Sequence, residues 1–191
     1  MTPGADYLHI VQTRFNLATP GKESDIRNQP GWLGRRFELF EAHCLPSLAA
    51  QTERGFHWMI YFDDQTPAAF RERIEALRRI QPFTPYYTAN FPADGWPRSL
   101  RETFPDRPEW ILTTRVDNDD GLAVDDVARA QAALRDGPPT RGALNFRNGL
   151  ILRAGRVYAH AHPCNAFFTW FERDDADMRT ALSIQHMHLA E

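Results

Sequence analysis

Residues 110–121 read WILTTRVDNDDG. The run from Trp110 to Val116 is rich in β-branched and aromatic residues, the composition of a strand buried on both faces. It leads straight into Asp117, Asn118, Asp119 and Asp120, closed by Gly121. Three carboxylates within four residues repel one another, and a divalent cation relieves that repulsion. Hard oxygen ligands suit Mg²⁺ or Mn²⁺. The i, i+2 spacing lets one acid touch the metal while the other reaches a ribose or a metal-bound water. A solvated acidic turn is the plain alternative. The buried strand upstream argues against it, because such a strand aims its end residues at the ligand edge of a sheet. An EF-hand fails on spacing: counted from Asp117, the glycine position falls on Leu122 and the final glutamate position on Ala128.

Outward from this stretch, strand-like and helix-like patterns alternate. Tyr7–Gln12 and His57–Phe62 read as buried strands, and Phe83–Ala89 as a third. Polar, Pro- and Gly-marked sequence through Pro30 reads as a long functional loop. Trp32–Gln51 carries helical spacing at Phe37, Phe40, Leu45 and Leu48, with a kink or break expected at Pro46. Thr66 and Pro67 form a helix start, and Phe70, Ile74 and Leu77 give that helix one apolar stripe. Short helices are expected over Ser99–Phe104 and Val124–Leu134. After Asp136 the pattern changes to short strands at Ala143–Arg147, Leu150–Arg153 and Val157–His160, joined by Asn148-Gly149 and Ala154-Gly155, with a terminal helix to follow.

The expected fold class is therefore α/β: a mostly parallel sheet with helices on both faces and a C-terminal hairpin and helix region. A single domain over 1–191 is expected, with a ligand-binding half at 1–135 and a second half at 136–191. In such sheets the ligand sits beyond the carboxyl ends of the strands. The segments TRFN (13–16), FDD (62–64) and RVDNDD (115–120) all fall there.

Bulk properties narrow the function. The 191 residues carry 22 basic and 25 acidic side chains, a net charge of −3. That balance speaks against nucleic acid as partner, because phosphate-dominated binding wants a basic surplus. Two cysteines, Cys44 and Cys164, are too few for a disulfide framework. No apolar run reaches transmembrane length and no signal pattern opens the chain, so a cytoplasmic protein is expected. Lys22 is the only lysine, so any phosphate contact falls to arginine, whose planar fork pairs bidentately with phosphate oxygens. Arg14, Arg98 and Arg115 are the candidates, although each taken alone reads more readily as a surface or ion-paired residue.

Other signatures are missing or weak. There is neither a phosphate-binding GxxxxGK[ST] loop nor a GxGxxG turn. A phosphorylated ligand would then depend on a metal bridge and arginines. His160, His162 and Cys164 fall on one strand face at period two, but lack a fourth ligand for zinc, and Pro163 interrupts the strand. Asn145 and Asn148 are candidate contacts to sugar hydroxyls, and Trp96 a candidate stacking surface.

HIVQTRFN (9–16), CLPSLAAQ (44–51) with FHWMIYFDDQTP (56–67), and TTRVDNDD (113–120) resemble, in the same order, the rhamnosyltransferase family of GT-A-type glycosyltransferases. The resemblance covers most of residues 8–190. It implies a nucleotide-sugar-binding domain in which Asp117 and Asp119 hold a divalent metal on the diphosphate of a nucleoside-diphosphate sugar. It implies further that Asp63 contacts the base or ribose, and that Thr13, Arg14, Phe15 and Asn16 line the nucleotide pocket. A late histidine, His186 in preference to His188, would be a further metal ligand. Glu172, or failing that Asp174, would take the proton of a saccharide or other hydroxyl acceptor; a charged helix start is the plain reading of both. Members of that family are longer, so part of the acceptor side is expected to lie outside this chain. Rhamnose as the transferred sugar rests on the family name alone.

Two other functions fit the sequence less well. A sugar-phosphate nucleotidyltransferase also uses acids at strand ends, but wants a basic Gly-rich loop that TRFNLATPGK matches poorly. A non-catalytic nucleotide-sugar-binding relative would keep the site and lack turnover.

Overall fold

The computed structural model describes residues 7–18, 22–89, 94–135 and 141–184. In chain order the strands are β1 (Tyr7–Arg14), β2 (His57–Asp63), β3 (Thr84–Thr88), β4 (Trp110–Arg115), β5 (Gly142–Asn145), β6 (Asn148–Arg153), β7 (Arg156–Ala161) and β8 (Phe168–Arg173). The helices are α1 (Lys22–Arg27), α2 (Trp32–Leu39), α3 (Leu45–Ala49), α4 (Ala68–Leu77), α5 (Gly95–Thr103) and α6 (Asp126–Arg135), with a π-helical turn at Phe40–Cys44 between α2 and α3. Six strands form one sheet in the order β3-β2-β1-β4-β8-β5, and β6 and β7 pair separately. The first four are parallel, while β8 runs antiparallel to both β4 and β5.

Strand alternation divides the apolar side chains between two faces. Val11, Trp58, Ile60 and Phe62 meet Phe37 of α2, Leu48 of α3, Ile74 of α4 and Val127 of α6 on one face. Ile10, Met59, Tyr61 and Ile111 meet Leu100 of α5 and Met178 on the other. Each fully buried Leu, Ile or Phe contributes about 1.5–3 kcal/mol of transfer free energy. The expected mostly parallel sheet with helices on both faces is what forms.

Several local expectations change. The segment read as polar loop contains α1, whose sequence KESDIR offers no apolar stripe to announce it. The helix read over 32–51 is interrupted by the π-helical turn just before Pro46, where Leu45 N donates to Phe40 O. The largest change concerns Phe168–Arg173, read as the approach to a charged helix. It is β8, inserted between β4 and β5. Gly142 is needed there, because a Cβ would stand 2.9 Å from the Phe171 ring. The expected terminal helix falls largely outside the described residues.

Candidate active site

The carboxyl ends of β1, β2 and β4 lie side by side, with Arg14 in register with Tyr61 and Gln12 with Arg115. Two buried asparagines tie these ends together. Asn16 accepts from Asp63 N at 3.1 Å and donates to Thr66 Oγ1 at 3.0 Å, while Asn118 donates to Phe15 O at 2.8 Å. The backbone leaving β4 is thereby fixed before its acids are placed.

The acid loop 117–123 is also held from the helical side. Ser47 Oγ accepts from Leu122 N at 3.2 Å. Gln51, 2% exposed, donates to Ala123 O at 2.8 Å and accepts from Val127 N at 3.1 Å. Gly121 lies so close that a Cβ would be 3.1 Å from Ser47 Cβ. Buried backbone groups that would otherwise be orphaned are satisfied in this way.

The three carboxylates differ in compensation. Asp117 pairs with Arg115 at 3.1 Å, and Asp119 pairs with Arg36 of α2 at 2.5 Å. Asp120 is pushed up to about 6, first by partial burial and then by its neighbours Asp119 and Asp117. The Cys44 thiol nearby is raised as well, by burial and then by the field of Asp120, Asp119 and Asp117. Of the three carboxylates, Asp120 has no ion pair with a described residue. Among the described residues no three His, Cys, Asp or Glu side chains converge as a ready cage. Mg²⁺ and Mn²⁺ do not require one, since such ions commonly bind through one or two carboxylates and complete their shell with phosphate oxygens and water. In donor chemistry, Asp117, Asp119 and Asp120 fit a divalent cation. His186 and His188 lie outside the described residues.

Around this tip the expected nucleotide contacts separate. Asp63, 4% exposed, accepts from Gln65 N at 2.7 Å and pairs with Arg27 of α1. Arg14 and Arg115 point to the same sheet face on adjacent strands, as alternation from the Gln12–Arg115 register requires. Arg14 makes no ion pair with any described residue. Thr13 does not line a pocket: it is fully buried and its hydroxyl accepts from Trp58 Nε1 at 3.0 Å. Arg98 sits exposed in the first turn of α5 and pairs with Asp94. Trp96 packs edge-on against Tyr61 with centroids 4.9 Å apart.

Glu172 and Asp174 are not brought to this site. Antiparallel pairing sets Glu172 opposite Ile111, and Asp174 N donates to Glu109 O, at the start of β4. Six residues of strand, roughly 20 Å, separate Ile111 from Asp117. Glu172 is 2% exposed, and burial raises its pKa while the Arg179 N–H bond opposes the rise. Asp174 is clamped between Arg101, at 2.9 Å, and Arg107. Both acids hold the far edge of the sheet together, which corrects their assignment to acceptor deprotonation. Asn145 donates to Pro163 O at 2.6 Å, and His162 Nδ1 accepts from Cys164 N at 3.1 Å. These are loop contacts, with no zinc cage among the described residues.

Sequence reading missed Arg36, Arg27 and Gln51, which join the site from 36 to 83 residues away. No local pattern reports such partners. For the two arginines, the acids they pair with were the available signal.

Among solved structures, the chain resembles TarS 1–349 of S. aureus at 20% identity, over 68% of this chain and 32% of that one, with a TM-score of 0.40. It also resembles a protein of Desulfovibrio desulfuricans G20 described as a "putative nucleotide-diphospho-sugar transferase", at 13% identity, over 96% of this chain and 67% of that one, with a TM-score of 0.46. The chain thus spans about a third of the TarS fragment. No curated protein matches it at a significant level. A family model does match, over residues 7–191, and by that match the chain belongs to the family described as "Putative rhamnosyl transferase".

Proposed function

We propose that the protein is a metal-dependent glycosyltransferase that moves a sugar from a nucleoside-diphosphate sugar to a hydroxyl-bearing acceptor. Rhamnose as that sugar follows the family description. The observation that carries the reading is the acid tip of β4: three carboxylates, Asp120 without an ion pair, beside two arginines on one sheet face. Asp117 and Asp119 would hold Mg²⁺ or Mn²⁺, with His186 a proposed further ligand. Such an ion would supply charge neutralisation for a diphosphate leaving group.

The chain's own residues do the rest. Arg14, free of described ion pairs, is available to pair bidentately with phosphate oxygens. Arg115, which bonds Asp117, stands on the same sheet face as Arg14 and would be a second guanidinium for phosphate oxygens. Asp63 and its partner Arg27 stand at the end of β2, where the ribose or base is expected. Asn16 and Asn118 keep the three strand ends in fixed relation, so these groups need little reorganisation on binding.

Thermal-shift titration with UDP-, GDP- and dTDP-sugars, with and without Mn²⁺, followed by assay of nucleotide release, tests the reading. Stabilisation that needs both sugar nucleotide and Mn²⁺, together with release, supports it. Asp119→Ala should abolish both signals. Mn²⁺-dependent stabilisation without release under any acceptor leaves a binding protein, and no stabilisation at all removes the donor site.

A further inference from the structure

The β6–β7 hairpin stands clear of the main sheet. Every residue of its two strands except Gly149 is exposed. Its register sets Leu150 opposite Ala159 and Leu152 opposite Val157 on one face, and Ile151 opposite Tyr158 on the other. Leu150, Leu152 and Val157 are 76%, 60% and 63% exposed. A two-stranded hairpin alone is marginal in water, and contiguous exposed apolar surface marks a place of interaction. The base of this one is nonetheless fixed: Asn145 bonds Pro163 O at 2.6 Å, His162 N bonds Arg147 O at 2.9 Å and Asn165 bonds Phe146 O at 3.3 Å. It is a firmly mounted arm with nothing against it among the described residues.

Charge indicates what the arm meets. Residues 137–171 hold Arg141, Arg147, Arg153 and Arg156 and no aspartate or glutamate, in a chain whose acids outnumber its bases. Arg153 and Arg156 face each other beside the turn. Neither they nor Arg147 pairs with a described carboxylate, so this acid-free stretch leaves three guanidinium groups without an anionic partner among the described residues. A two-fold contact with a second copy would set this patch against itself, with no acid in the patch to answer the arginines.

We propose that the hairpin docks the protein on an anionic phospholipid bilayer. Leu150, Leu152 and Val157 enter the headgroup–acyl boundary, and the long arginine side chains reach the lipid phosphates. The chain leaves β5 at Asn145, opposite Phe168, and re-enters at β8, whose Thr169 pairs with Thr114. The arm therefore springs from the same sheet edge as the acid tip. Docking sets that edge toward the membrane, and, on the proposed transferase reading, toward an acceptor whose hydroxyl is borne by a lipid.

Cosedimentation with phosphatidylcholine vesicles, with and without phosphatidylglycerol, tests the docking without any assay of turnover. The protein is expected to pellet only with the anionic vesicles, and to be released as salt rises from about 0.1 to about 1 M, where the Debye length falls from about 10 to about 3 Å. Leu152→Asp with Val157→Asp should reduce pelleting to background. Arg153→Gln with Arg156→Gln, both at exposed side chains, should weaken it about fivefold per arginine. Thermal unfolding of both variants checks that they fold, and the arginine pair carries the test if the apolar pair does not. Wild-type protein that ignores anionic vesicles, or variants that pellet like wild type, would overturn the proposal. So would a dimer in sedimentation analysis that the Leu152 and Val157 substitutions dissolve, because the face then belongs to a second copy.

Discussion

Arg36 Nη1 lies 2.5 Å from Asp119 Oδ2, a bond that joins α2 to the acid loop across 83 residues of sequence. Both side chains are about one-third exposed. The guanidinium therefore occupies a carboxylate that the proposed metal site needs. Arg36→Ala should tighten Mn²⁺ binding by about 1.4- to fivefold, the roughly 0.2–1 kcal/mol typical of a partly exposed pair, and Asp119→Ala should abolish it. Titration calorimetry reads both. Weaker Mn²⁺ binding in Arg36→Ala would make the arginine a support of the site and not a competitor.

Asp120 titrates near 6 in the fold and nearer 3.8 in an ordinary environment. Its folded pKa is raised, so ionisation is harder in the native state. The resulting penalty is absent below about 4, grows between about 4 and 6, and is complete above that. Without metal, Asp120→Asn should raise the melting temperature at pH 8 and leave it unchanged at pH 4. Equal melting temperatures at both pH values would show the carboxylate to be adequately solvated.

The acid loop depends on two amide side chains. Asn118→Ala frees Phe15 O, and Gln51→Ala strips partners from Ala123 O and Val127 N, all in buried surroundings. Each substitution is expected to cost about 1–3 kcal/mol, or about 2–4 °C of melting temperature per kcal/mol for a domain of this size. Nucleotide affinity should fall further than either loss of stability explains, since the strand ends then move. Differential scanning calorimetry paired with nucleotide titration separates the two effects.

Glu172 offers a negative prediction. Its carboxylate accepts from Arg179 N, and its second oxygen is buried with no hydrogen-bond partner, 4.0 Å from Arg141. Glu172→Gln should leave turnover within about twofold of wild type, whereas replacing a general base costs about 10²–10⁴. A loss of that size would return Glu172 to the chemistry despite its place at the far edge.

The parallel strands were legible because WILTTR is rich in β-branched and aromatic residues, WMIYF is an unbroken apolar run, and both lead into acids. The acid tip was legible for the same reason: Asp117, Asp119 and Asp120 are neighbours in sequence as well as in space. What escaped was non-local. β8 carries aromatics and acids in an order that reads equally as a helix start, and only its pairing with β4 and β5 makes it a strand. That pairing moved Glu172 from the expected acceptor side to the opposite edge. Thr13, quoted beside Arg14 as a pocket residue, faces the core because alternation gives neighbours opposite faces.

The π-helical turn at Phe40–Cys44 reaches beyond its own geometry. Pro46 has no N–H to donate, and its ring would crowd the carbonyl four residues earlier, so a widened turn just before it relieves both problems. Its extra residue also sets the angular phase of everything downstream. Wound at ordinary helical pitch, the same residues would carry Ser47 and Gln51 about 100° further around the axis. Their grip on Leu122, Ala123 and Val127 would be lost. A more regular helix would thus be a worse scaffold, and the irregularity acts as the indexing notch that keeps the carboxylates aligned with the strand they follow.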